Sequence, residues 1–234
     1  MSSGVTSRSL VDLFSRFGTR RPVEAGVAAA AEGLGQHPVL GTKALRKFAS
    51  SLRAQESPVL LDLGPVVGSN VTFFGETLGC KIFVEDIYAD LERHLRQGAL
   101  AELPEFLARR FPQADASVDG ILCWDLIDYL DRRAAQALAV QMTRLLRVDG
   151  ALLGFFSTAP SQDCRYTKYV IVDDTNLKHR PYPAARGRQS VLQNRDIIKL
   201  FDGLRVSDSF LLQTNLREIL FRKPAYLGSI RATI

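Results

Sequence analysis

Asp62 closes the apolar run Val59-Leu60-Leu61, and Gly64, Pro65 and Gly68 follow at once, before a helical pattern over Val71 to Leu78. Strand, glycine-bearing turn and helix in that order aim backbone N–H groups at a ligand. A carboxylate at such a corner repels phosphate and suits a ligand that carries an ammonium group. Glu85 lies 23 residues after Asp62, behind a second apolar run, Lys81 to Val84. A carboxylate at that strand tip is placed to accept both hydroxyls of a ribose. Glu85 directly follows the last apolar residue and is the first choice, with Asp86 the alternative. The competing reading makes both surface acids at the start of the next helix. A third group is Trp124 and Asp125, at the end of the run Ile121-Leu122-Cys123-Trp124, with Asp128 and Tyr129 just beyond. Asp128 and Tyr129 are the candidates for a base, set against a helix-start or substrate-orienting role.

The elements that must hold these residues are legible as an alternation. Val118 to Trp124 and Ala151 to Phe156 have the length and content of buried strands. Asp131 to Arg147 between them is a helix, with Asp131 as N-cap and Ala134, Leu138, Met142, Leu145 and Leu146 on its inner face. Strand–helix–strand order predicts a doubly wound α/β domain, its sheet mostly parallel with helices on both faces. Ile87 to Arg110 reads as helical, with no clear strand. Tyr166 to Val172 mixes aromatic and β-branched residues, and Asn176 to Gln189 reads as a loop rich in Pro, Arg and Gly. Asn194 is placed to cap a helix that Gly203 closes. Two strands follow, Arg205 to Gln213 and Leu216 to Arg222, and the short link between them requires an antiparallel hairpin. Residues 1–41 read as an N-terminal helical cap and residues 42–234 as the main domain, which opens on an amphipathic helix over Thr42 to Leu52.

Bulk composition narrows the classes. A chain of 234 residues, 46% hydrophobic and 24% charged, fits one large globular domain or a domain with an appendage. No apolar run approaches the ~20 residues that cross a bilayer, and the serine-rich start lacks the apolar core of a secretion signal. Cys80, Cys123 and Cys164 form no CxxC, and His37, His94 and His179 stand apart from any ligand-spaced partner. No metal or disulfide framework is expected, and a reducing, cytoplasmic setting is. The net charge of +5 divides into +4 over residues 1–56, −5 over 57–160 and +6 over 161–234. Basic flanks can attract nucleic acid or an acidic substrate, or simply be solvated.

Together the segments LLDLGPVVG, Glu85/Asp86, FPQADASVDGILCWDLIDYL, RLLRVDGALLGFF and the terminal hairpin resemble the class I S-adenosylmethionine-dependent methyltransferases, the Rossmann-like methyltransferase superfamily, over roughly residues 42–223. Val66 stands where that family has its middle glycine, and Val148-Asp149 replaces its usual Pro-Gly. The resemblance implies a seven-stranded sheet and an enzyme moving a methyl group from S-adenosylmethionine to an O, N or C nucleophile, on a small molecule first. It places Asp62, Gly64, Pro65 and Gly68 around the methionine end, Glu85 or Asp86 on the ribose, and the backbone of Trp124 and Asp125 beside the sulfonium. The alternatives are a non-catalytic binding or scaffold protein on the same fold, or an RNA-directed methyltransferase using the basic flanks. The enzymatic reading requires an open, polar crevice above Gly64 to Gly68 with Glu85 facing it.

Overall fold

The computed structural model describes residues 37–189, 191–212 and 214–225. The segment read as an N-terminal cap lies outside these residues up to position 36. The main sheet has the order β3-β2-β4-β5-β9-β8. Its members are β2 (Val59–Asp62), β3 (Lys81–Val84), β4 (Val118–Trp124), β5 (Leu146–Ser157), β8 (Arg205–Leu211) and β9 (Leu216–Arg222). The first four run parallel, and β9 runs antiparallel to both β5 and β8. The expected α/β architecture and terminal hairpin are present, with six strands in this sheet rather than seven. The missing strand is the one the sequence does not supply. Between β3 and β4 the chain forms α3 (Ile87–Arg96), a short turn and α4 (Leu103–Arg109), so β3 is a sheet edge.

Parallel strands are covered on both faces, which is why β4 carries the apolar run Ile121 to Trp124 and is buried along its whole length, Asp119 included. Alternate residues feed two cores. Leu61, Ile121, Leu152 and Ile219 face α3, α4, α5 (Arg132–Leu145) and α6 (Asn194–Leu200). Leu60, Leu122, Leu153 and Leu220 face α1 (Ala44–Arg53) and Phe74. Helix α5 starts as expected, its N-cap Asp131 accepting from the Ala134 N–H at 2.9 Å. The cap expected of Asn194 is not made, because Gln193 holds that position and offers no side-chain bond. At the start of α1 Lys43 makes no side-chain cap, and Thr42 accepts from the Leu45 N–H only at 3.4 Å. Instead Glu218 on β9 reaches across and accepts from the N–H groups of Lys43 and Ala44, each at 2.9 Å. That carboxylate meets the positive end of the helix. The close seat of α1 also needs Gly120: a Cβ there would stand 2.8 Å from Leu52 and 2.9 Å from Phe48.

A second, three-stranded sheet has the order β1-β7-β6, built from β1 (Val39–Gly41), β6 (Arg165–Asp173) and β7 (Asn176–Pro183). Residues 176–183 are thus a strand, where the sequence reads as a loop. Pro181 and Pro183 are tolerated because β1 pairs only with residues 176–178 of β7, leaving the prolines with a partner on one side alone.

Candidate functional site

At the carboxyl ends of β2, β3 and β4 the three groups of site candidates do come near one another, but the β6–β7 ribbon is laid over them. The turn after β2 leads into α2 (Gly68–Thr72), which continues as a π-helical turn over Phe73–Thr77. Its outer part faces solvent, with Val66 67% exposed and open space above Gly68. Its inner part is filled. A Cβ on Gly64 would lie 2.8 Å from Cδ1 and Nε1 of Trp124.

The indole of Trp124 donates to Oδ1 of Asp62 at 2.7 Å, and the same oxygen accepts from the Gly64 N–H at 2.9 Å. Asp62 is buried. Burial pushes its carboxyl up to about 6, against the two N–H donors and with a smaller push from Asp86. Trp124 holds a left-handed backbone (φ 49°), uncommon for a bulky residue, and its side chain, rather than its backbone alone, enters the crevice. Tyr169 of β6 stacks flat on the indole, with ring centres 5.2 Å apart and planes 6° from parallel. Asn70, in the first turn of α2, fixes that strand from beneath. Its amide donates to the Tyr169 carbonyl and accepts from the Ile171 N–H, both at 2.8 Å.

Glu85 and Asp86 do not line an open hollow. Arg110 holds Glu85 at 2.7 Å, and Gln113 donates to it at 3.3 Å. Asp86 caps α3 by accepting from the Ala89 N–H at 3.0 Å, and Lys168 of β6 is close enough to offset part of its burial cost. The expectation of an open crevice faced by Glu85 is therefore corrected: aromatic side chains fill it, and the two acids are engaged elsewhere. The physical reason is the ribbon, which the sequence reading left as an undefined connection.

Asp125 and Asp128 sit in a buried polar cluster at the ends of β4 and β5. Asp125 accepts from the Tyr88 hydroxyl at 2.7 Å, the Tyr129 hydroxyl at 3.4 Å and Arg188 at 3.1 Å. Asp128 accepts from the Ser157 N–H at 2.8 Å and lies 3.8 Å from Nε of Arg188. Burial first, then the neighbouring Asp125, raises Asp128 to about 7 against the pull of Ser157 and Arg188. Its proton affinity suits a base, yet it is only 1% exposed. Tyr129 is a donor here: burial and Asp125 push its phenol far up, and it bonds the Arg165 carbonyl at 2.8 Å. Sequence reasoning missed Tyr88, Asn70 and the inward turn of Arg188. The one available signal was the Pro-, Arg- and Gly-rich stretch over residues 176–189, and Arg188 belongs to it.

No group of three or more His, Cys, Asp or Glu side chains among the described residues is arranged to hold a metal ion. No helix among them is long and apolar enough to cross a membrane. As a test of fit, Asp62 and the Gly64 N–H offer what a methionine-type end needs, but Trp124 takes the space. As arranged, the site does not fit S-adenosylmethionine.

No family model matches the chain, and no curated protein matches it. Among solved structures it is similar to the PH0226 protein from Pyrococcus horikoshii OT3, at 16% identity over 77% of this chain and 89% of that one, with a TM-score of 0.49. It is also similar to the Burkholderia thailandensis 1,6-didemethyltoxoflavin-N1-methyltransferase with bound S-adenosylhomocysteine, at 17% identity over 78% and 79%, TM-score 0.44. A third is the glycopeptide N-methyltransferase MtfA complexed with S-adenosylmethionine, at 14% identity over 77% and 93%, TM-score 0.41. The deciding feature is internal: an antiparallel β9 inserted between β5 and β8 of an otherwise parallel sheet. That is the Rossmann-like sheet order that the sequence resemblance implies, one strand short, and in it the Asp62 corner faces Trp124.

Proposed function

We propose that this chain is an S-adenosylmethionine-dependent methyltransferase acting on an O, N or C nucleophile of a small molecule, and that its crevice takes the cofactor only after the Trp124 indole has left Gly64. The observation that carries the reading is the donor set on Asp62. One donor, the Gly64 N–H, is fixed backbone; the other is a side chain that an ammonium group can replace. A buried carboxylate with only neutral donors gains from a cationic partner. The cofactor supplies a methyl group already activated by its sulfonium. What this chain supplies is a water-excluding corner and, in Asp128, a carboxyl whose proton affinity lies near neutrality.

The second reading is a binding or scaffold protein that keeps the fold without the chemistry. It is favoured by the filled space beside Gly64 and by the engagement of Glu85 with Arg110. Calorimetry with S-adenosylhomocysteine separates the two. Saturable heat from the wild type or from Trp124→Phe supports the first. Absence of heat from both at millimolar ligand, with both proteins folded, leaves the second.

A further inference from the structure

Strand β6 is the edge of its sheet, so its outward N–H and C=O groups have no strand beside them. At one point they nevertheless find both a donor and an acceptor. Asn70 gives its amide N–H to the Tyr169 carbonyl and takes the Ile171 N–H on its amide oxygen, as a neighbouring strand would. Only one orientation of the amide satisfies both bonds, and Asn70 is 3% exposed. Directly beside it Tyr169 lies on Trp124, and Trp124 occupies Asp62.

We propose that β6–β7 is a latched lid over the crevice, with Asn70 as the latch and the Trp124 indole as a built-in competitor for Asp62. The lid and the ligand are then mutually exclusive: a group carrying an ammonium must take Oδ1 of Asp62 from the indole, and the loss of the indole removes the surface on which Tyr169 stacks. Weakening the latch raises the open fraction and so the apparent affinity in proportion. The identity of the competitor as S-adenosylmethionine or its product rests on the methyltransferase reading; the latch itself does not.

Trp124 is the chain's single tryptophan, so its fluorescence reports the lid without any assay of activity. In the wild type the indole should emit as a buried group and resist quenching by acrylamide. Asn70→Ala should shift the emission to the red and increase quenching, while far-ultraviolet dichroism and a cooperative melt show the fold retained. Added S-adenosylhomocysteine should do the same to the wild type, and should bind Asn70→Ala roughly tenfold more tightly if the open fraction rises tenfold. Trp124→Phe removes the competing N–H while keeping a ring for Tyr169, and should also bind more tightly with the latch intact. Unchanged quenching in a folded Asn70→Ala protein overturns the latch. Binding of S-adenosylhomocysteine to the wild type with no change at Trp124 overturns the competition and leaves the methyltransferase reading standing. Exposure of Trp124 in Asn70→Ala, with no binding by any of the three proteins, supports the latch and overturns that reading.

Discussion

Asp119 and Asp62 are both 4% exposed carboxylates on neighbouring strands of the central sheet, one at its amino-terminal rim and the other at its carboxyl-terminal rim. Asp119 accepts from the Val59 N–H at 2.7 Å and pairs with Arg147 at 2.8 Å. It ties the start of β2 to β4 and to the start of β5 and has a cation of its own. Asp62 has two N–H donors, and among the described residues no Lys or Arg pairs with it. A buried carboxylate left with neutral partners resists ionisation, as Asp62 does. The lower rim is therefore a completed joint. The upper rim holds a charge the fold does not fully compensate, which is what a binding corner for a cation needs.

The largest expected effect tests the lower rim. Asp119→Ala leaves the Val59 N–H without its acceptor and Arg147 without its partner. The loss should be about 2–3 kcal/mol, toward the low end for a buried pair because the Arg147 side chain is 42% exposed. Asp62→Asn should do the reverse at pH 7.5. It keeps an acceptor for Gly64 and Trp124 and removes the buried charge, so stability should hold or rise by about 1 kcal/mol. Urea midpoints at unchanged slope measure both. Equal losses from the two substitutions would break the comparison.

These contrasts mark where sequence reading succeeds. Strands β2, β4 and β5 are legible because burial on both faces makes them short apolar runs between Gly, Pro and Asp. The helix cap at Asp131 and the hairpin at Thr214-Asn215 are local signals, readable within a few residues. Six strands instead of seven follows from α3 and α4 filling residues 87–109, just where the sequence offers no strand. The site was less legible because its decisive contacts are remote. Trp124 meets Asp62 from 62 positions away, and Asn70 meets Tyr169 from 99. An aromatic residue at a strand end carries no sign of which way its ring turns, and the left-handed φ at Trp124 is equally unmarked in the sequence. Strand β7 was hidden by Lys178-His179-Arg180-Pro181, a polar run that works as a strand because only one of its edges needs to donate near the prolines.

A smaller effect concerns pH. A carboxyl whose folded pKa lies above its unfolded value binds its proton more tightly when folded, so it lowers stability as pH rises between the two values. For Asp62 that window runs from the ordinary 3.8 to about 6, and for Asp128 from 3.8 to about 7. His179, held below its ordinary value by burial, acts in the opposite sense, losing stability as pH falls below 6.5. Comparing Asp128→Asn with the wild type cancels that shared contribution. The variant should show a flatter stability profile between pH 5 and 7, the difference amounting to on the order of 1 kcal/mol. Parallel profiles would mean that Arg188 compensates Asp128 as fully as Arg147 does Asp119, and the two rims would then be alike.

The smallest effect separates the crevice from its neighbour. Arg110 draws Glu85 at 2.7 Å and Asp90 at 2.9 Å, tying the tip of β3 to the end of α4. The pair is partly exposed, Arg110 by 25% and Glu85 by 17%, so solvent screens it. Arg110→Gln should cost under ~1 kcal/mol. It should also leave Trp124 buried, since the indole is held by Asp62, Tyr169 and the ribbon, none of which touches Arg110. Acrylamide quenching of the variant measures this directly. Unchanged quenching makes the Glu85 pairing a matter of α3–α4 packing at the sheet edge, independent of whether the lid is shut. Raised quenching would mean that Glu85, once free, draws on the same crevice as Asp62, and the carboxyl-terminal rim would then act as one coupled acidic surface rather than as two separate acids.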